Sequence, residues 1–179
     1  SVGLLVSADK KYAENDAQQR VRTDIGRATL RAGGNMSILG TADAQMSAFT
    51  NANGGGLFDK GRLTAVTTLD RQVDVNVRSG ATLEAGTKAS GAALTVKSET
   101  GVNDNIRTEA TGNSAGLISV SRASASSSVV SKTNTTIERG ATLTNTFGTL
   151  YVQALSSTYG ITKGHYGSVG LSSQPEADS

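Results

Sequence analysis

The sequence predicts an all-β fold assembled from stacked repeats, a β-solenoid, and three observations lead there. A motif recurs at long, nearly regular spacing; the residues around it alternate apolar and polar; and the composition suits a narrow column better than a globular core. The motif is Val77-Arg78-Ser79-Gly80-Ala81-Thr82-Leu83-Glu84-Ala85-Gly86. Ile137-Glu138-Arg139-Gly140-Ala141-Thr142-Leu143 is a second copy. Ile25-Gly26-Arg27-Ala28-Thr29-Leu30-Arg31-Ala32-Gly33 is a third, one residue shorter.

The Ala-Thr-Leu cores begin at Ala28, Ala81 and Ala141, spaced 53 and 60. A second marker, Gly-Leu, stands at Gly3, Gly56, Gly116 and Gly170, spaced 53, 60 and 54. Each Gly-Leu precedes the next Ala-Thr-Leu by 25 residues, whereas the return distances are 28, 35 and 29. A constant half and a variable half are the signature of a repeat with an insertion-tolerant loop. The second repeat's extra residues are expected between Glu99 and Ser114, where turn-forming Gly101, Asn103-Asp104-Asn105 and Gly112-Asn113-Ser114 cluster. The units fall at 1–53, 54–115 and 116–167, with a fourth starting at 168–179, so the chain reads as a single segment of a longer array.

Within a unit the pattern is strand-like. Val73, Val75 and Val77 alternate with polar residues, as do Val21, Thr23, Ile25 and Thr133, Thr135, Ile137. Met36-Ser37-Ile38, Leu94-Thr95-Val96 and Leu150-Tyr151-Val152 repeat the alternation downstream. Period two with β-branched residues marks half-buried strand. Asp9 to Arg22, rich in Ala, Gln, Glu and Lys, has some helical spacing, but its counterpart Leu63–Thr68 is plainly strand-like, so it reads as a charged extended variant. Asn51-Ala52-Asn53-Gly54-Gly55-Gly56 reads as a corner at a unit boundary. A unit of this length divides into roughly three turns of about 18–20 residues, giving about three coils per 53–60-residue repeat. Nine coils at about 4.8 Å spacing would make a rod of about 43 Å. An antiparallel sandwich would need hairpin turns, yet Asn-Gly occurs only at Asn53-Gly54 and Asp-Gly not at all.

Composition agrees. Only 4% of residues are aromatic and Trp is absent, whereas a globular core of this size recruits more aromatic volume. The lone Pro175 is expected where most backbone N–H groups donate to ladders. Cys is absent, so no disulfide framework applies. The net charge of +2, from 17 basic and 15 acidic residues, argues against nucleic acid as the main partner. No apolar run approaches the ~20 residues of a membrane helix, so membrane insertion is not expected.

No catalytic, cofactor or metal constellation emerges. The basic run Arg20, Arg22, Arg27, Arg31 is either a solvated face or a contact for anionic polysaccharide or lipid headgroups. His165, the only histidine, sits in a turn-like Gly-rich context without a partner, and zinc sites need several Cys or His ligands. Asp59, Asp70 and Asp74 are the carboxylates a glycan-cleaving site would draw on, but paired acids need one face and a defined separation. Asn103-Asp104-Asn105 is a loose acidic cluster that lacks the calcium-binding nonapeptide pattern. Asn35-Met36-Ser37 and Asn134-Thr135-Thr136 fit the N-glycosylation triplet, a frequent match in so Ser/Thr-rich a chain. Leu30, Leu83 and Leu143 are expected to point inward, with Gly80 and Gly140 at corners.

The pattern Gly-Leu … Ile/Val-x-x-Gly-Ala-Thr-Leu-x-Ala-Gly … Leu-x-Val resembles the repeats of very large bacterial surface or secreted proteins: the filamentous-haemagglutinin-like, two-partner-secreted and autotransporter adhesins. The resemblance spans nearly the whole chain. It implies a right-handed parallel β-helix, export from a Gram-negative cell to the cell surface or medium, and a stalk or fibre role in adhesion or biofilm. It carries no site residues, because the shared positions are structural. The expected partners are neighbouring repeats of the same protein, surface glycans, or further copies of the chain. The competing readings are a carbohydrate-binding or carbohydrate-active β-helix of tailspike-like or lyase-like type, and a self-assembling fibre subunit.

Overall fold

A computed structural model describes residues 6–88, 91–170 and 172–178. The first Gly-Leu marker, Gly3-Leu4, and Leu171 of the last fall outside the described residues. Among those described, every element is a strand: β1 (Val6–Ile25), β2 (Thr29–Arg31), β3 (Met36–Ala42), β4 (Gln45–Val77), β5 (Thr82–Ala85), β6 (Ala92–Thr100), β7 (Asn105–Ile137), β8 (Thr142–Asn145), β9 (Gly148–Ser156), β10 (Gly160–Val169) and β11 (Ser172–Asp178). The strands form three sheets, ordered β1-β4-β7-β10 (with β11 also on β7), β2-β5-β8 and β3-β6-β9. All pairings are parallel. The charged span of Asp9 to Arg22 is strand, inside β1.

The register identifies the true unit. Val77 lies opposite Ile25 on one side and Ile137 on the other. Leu83 lies between Leu30 and Leu143, and Val96 between Ile38 and Val152. Ladder neighbours are thus one whole repeat apart, and each repeat makes one circuit of the three sheets. The expectation of three coils per repeat, and of nine in all, is therefore corrected to one. The cause is the length of the first sheet's strands: β4 and β7 each run 33 residues, where a division into thirds presumes strands of a few residues.

These long strands bend without leaving the ladder. In β4 the buried residues are even-numbered up to Ala52 and odd-numbered from Asp59 onward. The phase flips across Asn53–Phe58, and the two arms face each other across the interior. Ala48 and Ala52 pack with Leu63 and Ala65, and Ala44 and Met46 with Leu69. The Gly-rich stretch read as a corner is this bend, strand throughout. Glycine is required where rungs approach closely: a Cβ on Gly116 would lie 2.4 Å from the Gly56 carbonyl, and one on Gly170 1.9 Å from that of Gly116.

The motif itself makes the corner after the long strand. Ala81 N–H donates to the Arg78 carbonyl at 3.0 Å, and Ala141 N–H to that of Glu138 at 3.0 Å. Gly80 (φ 80°) and Gly140 (φ 91°) occupy the third turn position, where a type II turn demands positive φ. That corner is one residue shorter in the first repeat, between Ile25 and Thr29, and most of the length variation sits at the next two corners. Four residues separate Arg31 from Met36 where nine separate Glu84 from Leu94; two separate Ala42 from Gln45 where four separate Thr100 from Asn105. The stretch from Glu99 to Ser114 therefore holds only the smaller share of the second repeat's extra residues.

Beyond that turn lies the most apolar part of the interior, where Val75, Val77, Ala81, Leu83, Ala85, Leu94 and Val96 are fully enclosed. Leu83 is inward and 0% exposed. Leu143 packs against the same cluster partly buried, and Leu30, on the first described circuit, is 37% exposed. Leu83→Ala should cost about 2–5 kcal/mol, as a core truncation does. Urea unfolding measures it, and a loss under about half a kcal/mol would mean that the site collapses around the gap.

Candidate functional site

A guanidinium lies in the interior, enclosed by the strands. Arg71 and Asp104 both have fully buried side chains. Arg71 Nη1 and Nη2 donate to Asp104 Oδ1 and Oδ2 at 2.6 and 2.8 Å, a bidentate pair. Arg71 Nε donates to Ser131 Oγ at 2.7 Å and Nη2 to the Ser157 carbonyl at 2.9 Å. Asp104 Oδ1 also accepts from the Ala44 N–H at 2.9 Å. Gly101 (φ 78°) makes room: a Cβ there would lie 2.6 Å from Arg71 Nη2 and 1.8 Å from the Ser157 carbonyl. The pair ties the second circuit to both neighbours, and it removes Asp104 from any calcium role. Its companion Asn103 is likewise engaged, donating through its amide and its backbone N–H to Asp43, whose carboxyl is held below its usual range mainly by that side-chain amide.

Several of the other charged residues singled out in the sequence are engaged as well. Arg20 pairs with Asp70 at 2.6 Å, Arg22 with Asp24 at 2.5 Å, and Arg31 with Glu84 at 2.6 Å. The basic run is thus largely neutralised, Arg20 and Arg31 by carboxylates of the next repeat. Asp74 accepts from Gln72 and Asn134 at 2.8 Å each. Asp70 and Asp74 share a face of β4, but four residues of strand set their Cα atoms about 13 Å apart. That exceeds the roughly 5–9.5 Å between the carboxyls of paired glycosidase acids. Asp59 points the other way, into the interior, and is 4% exposed. His165 is exposed on strand β10, opposite Thr111, not in a loop. No described group of three or more His, Cys, Asp or Glu is placed to hold a metal.

What the register does assemble is an outward depression of about 340 Å³ lined by Gln45, Met46, Ser47, Phe49, Asn105 and Arg107. Gln45 lies opposite Asn105, Ser47 opposite Arg107, and Phe49 opposite Glu109 and thence Lys163. The Arg107 guanidinium sits 5.4 Å from the Phe49 ring centroid and 2.8 Å from Glu109, with Lys163 Nζ 3.9 Å from the same carboxylate. Phe49 is 52% exposed. A half-exposed ring beside guanidinium, ammonium and amide groups offers stacking, charge and hydrogen bonds together, the equipment for a polar ring with anionic substituents. Sequence reading missed this group because its members lie far apart in the chain; the 60-residue register brings them together.

Comparison of the chain with protein-family models, with curated proteins and with solved structures returns no match.

Two predictions follow from the charges described here. Removing either partner of the buried pair, by Arg71→Met or Asp104→Leu, should cost about 3–5 kcal/mol, with the double variant regaining much of the loss; equal destabilisation by all three in urea titrations would contradict this. At the motif corner, Glu138 Oε2 accepts the Ser79 N–H at 3.0 Å, while Oε1 pairs with Arg78 at 2.5 Å. The backbone N–H foremost, then Arg78, holds the Glu138 carboxyl below its usual value. A depressed folded value means that this stabilisation is complete above the unfolded carboxylate range, about 4.3, and disappears as pH falls through the lower folded value. Glu138→Gln should therefore flatten the acid limb of stability against pH; an unchanged slope would show that the corner does not feel that charge.

Proposed function

We propose that this chain is a structural and adhesive segment of a long secreted or surface-attached bacterial protein, folded as a right-handed parallel β-helix and serving as a stalk or fibre in cell adhesion or biofilm. One observation carries the reading: equivalent residues of successive repeats lie opposite one another in three parallel sheets, visited in the same order each time. A circuit that reproduces its own cross-section can be extended without limit, which is what a stalk requires. The edges support a fibre as well. β8 and β9 end their sheets, and β9 leaves Leu150, Val152 and Leu155 exposed at 44%, 46% and 44%. Those apolar groups and unpaired backbone groups fit another rung, from the same protein or from another copy.

A second reading, carbohydrate binding, is favoured by the depression at Phe49 and Arg107. We read the chain as non-enzymatic, since Asp70 and Asp74 are held by neighbouring side chains and stand too far apart to act as an acid–base pair.

Beads coated with the folded chain are expected to adhere to bacterial or epithelial cell layers, and retention no greater than with heat-unfolded chain would overturn the adhesive reading. A glycan array separates the two readings. Binding to anionic glycans, reduced at least tenfold by Phe49→Ala with Arg107→Ala, supports carbohydrate recognition, whereas adhesion undiminished in that variant supports a stalk that adheres through other surfaces.

A further inference from the structure

At the bend of the long strands the interior is lined with oxygen. Asp59 is 4% exposed, and among the described residues neither of its carboxylate oxygens has a hydrogen-bond partner. Lys60 and Arg62, its basic neighbours in sequence, are exposed on the opposite face of the strand. Across the interior stands Gly54, whose missing side chain leaves the space the carboxylate uses: a Cβ there would lie 2.5 Å from Oδ2 and 2.8 Å from Oδ1. One rung on, Ser119 lies opposite Asp59 and Ser114 opposite Gly54. Their hydroxyls share a short hydrogen bond, and Ser121 Oγ donates to Ser114 Oγ at 3.2 Å. One rung further, Ser168 lies opposite Ser114, and its buried hydroxyl also lacks a partner.

A carboxylate withdrawn from water without a countercharge is among the costliest arrangements in a folded chain. Here it faces hydroxyl oxygens, hard neutral donors that suit a hard cation. A single carboxylate supplies a single negative charge, which one monovalent ion balances. The carboxylate and the neighbouring hydroxyls are all buried, which suits an ion stripped of most of its water. We propose that the bend holds a sodium-sized monovalent cation between the Asp59 carboxylate and the Ser114 and Ser119 hydroxyls, bridging two successive rungs.

The test is thermal unfolding of the whole chain in sodium chloride against tetramethylammonium chloride at equal ionic strength, since the organic cation is too large to enter. Sodium at about ten times its half-saturating concentration should raise Tm by roughly 3–6 °C. Asp59→Asn should abolish the difference between the two salts. Should that variant fail to fold, Ser119→Ala should raise the half-saturating sodium concentration several-fold, and ²³Na NMR of the unaltered chain should show line broadening reversed by unfolding. Equal Tm in the two salts, a sodium response that survives in Asp59→Asn, or no broadening of the ²³Na line would each overturn the site. A larger rise with calcium chloride at matched ionic strength would overturn its assignment to a monovalent ion.

Discussion

In-register stacking is the constraint from which the rest of this molecule follows. Each backbone position hydrogen-bonds to its counterpart one repeat away, so every side chain meets the equivalent side chain of the next rung. Inside, that demand yields columns of like apolar residues: Met36, Leu94 and Leu150, or Ile25, Val77 and Ile137. Outside, charged columns are of both kinds: Lys10, Arg62 and Arg122 stack like on like, whereas opposite charges meet at the motif corner. Arg78 is bonded to Asp24 of the circuit before and to Glu138 of the circuit after, at 2.9 Å and 2.5 Å. At the bend the same demand selects glycine at Gly116 and Gly170, where a carbonyl of the rung below occupies the place of a side chain.

Strict repetition would make every rung interchangeable, and the buried polar residues break it. Arg71 stands in a column with Gln19 and Ser131, so only the second circuit carries a guanidinium, and its carboxylate partner comes from the same circuit. Such a pair contributes less net stability than apolar packing would. Its geometry, with bonds reaching Ser131 and Ser157 of the third circuit, fixes which rung lies above. Polar groups at the bend do comparable work with smaller parts, since serines and a lone aspartate occupy positions that would otherwise be filled by alanine.

Much of this architecture was legible from residue order. Thr82 and Leu83 could be matched to their partners because the Ala-Thr-Leu core itself recurs; the equal Gly-Leu to Ala-Thr-Leu distances hide a one-residue change at the first motif corner, since Ile25 pairs with Val77 and Thr29 with Thr82. The alternation at Val73, Val75 and Val77 likewise fixed an inward face. What the order of residues concealed was the size of the circuit, because a repeat of this length accommodates three short turns or one long one equally well. Gly54-Gly55-Gly56 reads as a break, and only the change of buried phase between Ala52 and Asp59 shows a strand that folds over while its ladder continues. Nothing in the residue order marks Arg71 and Asp104 as buried, since charged residues usually lie at the surface, and the space that admits them is made by Gly101, a residue distant from Arg71 in sequence.

The corners tell a different story from the strands. Between Ala85 and Ala92 the second repeat has more residues than the first and third, yet Leu94 still meets Met36 and Leu150 in register. The chain thus separates a rigid frame from a position where peptide can be spliced in at little energetic cost. An engineer could graft a foreign peptide there without disturbing the register of the strands on either side.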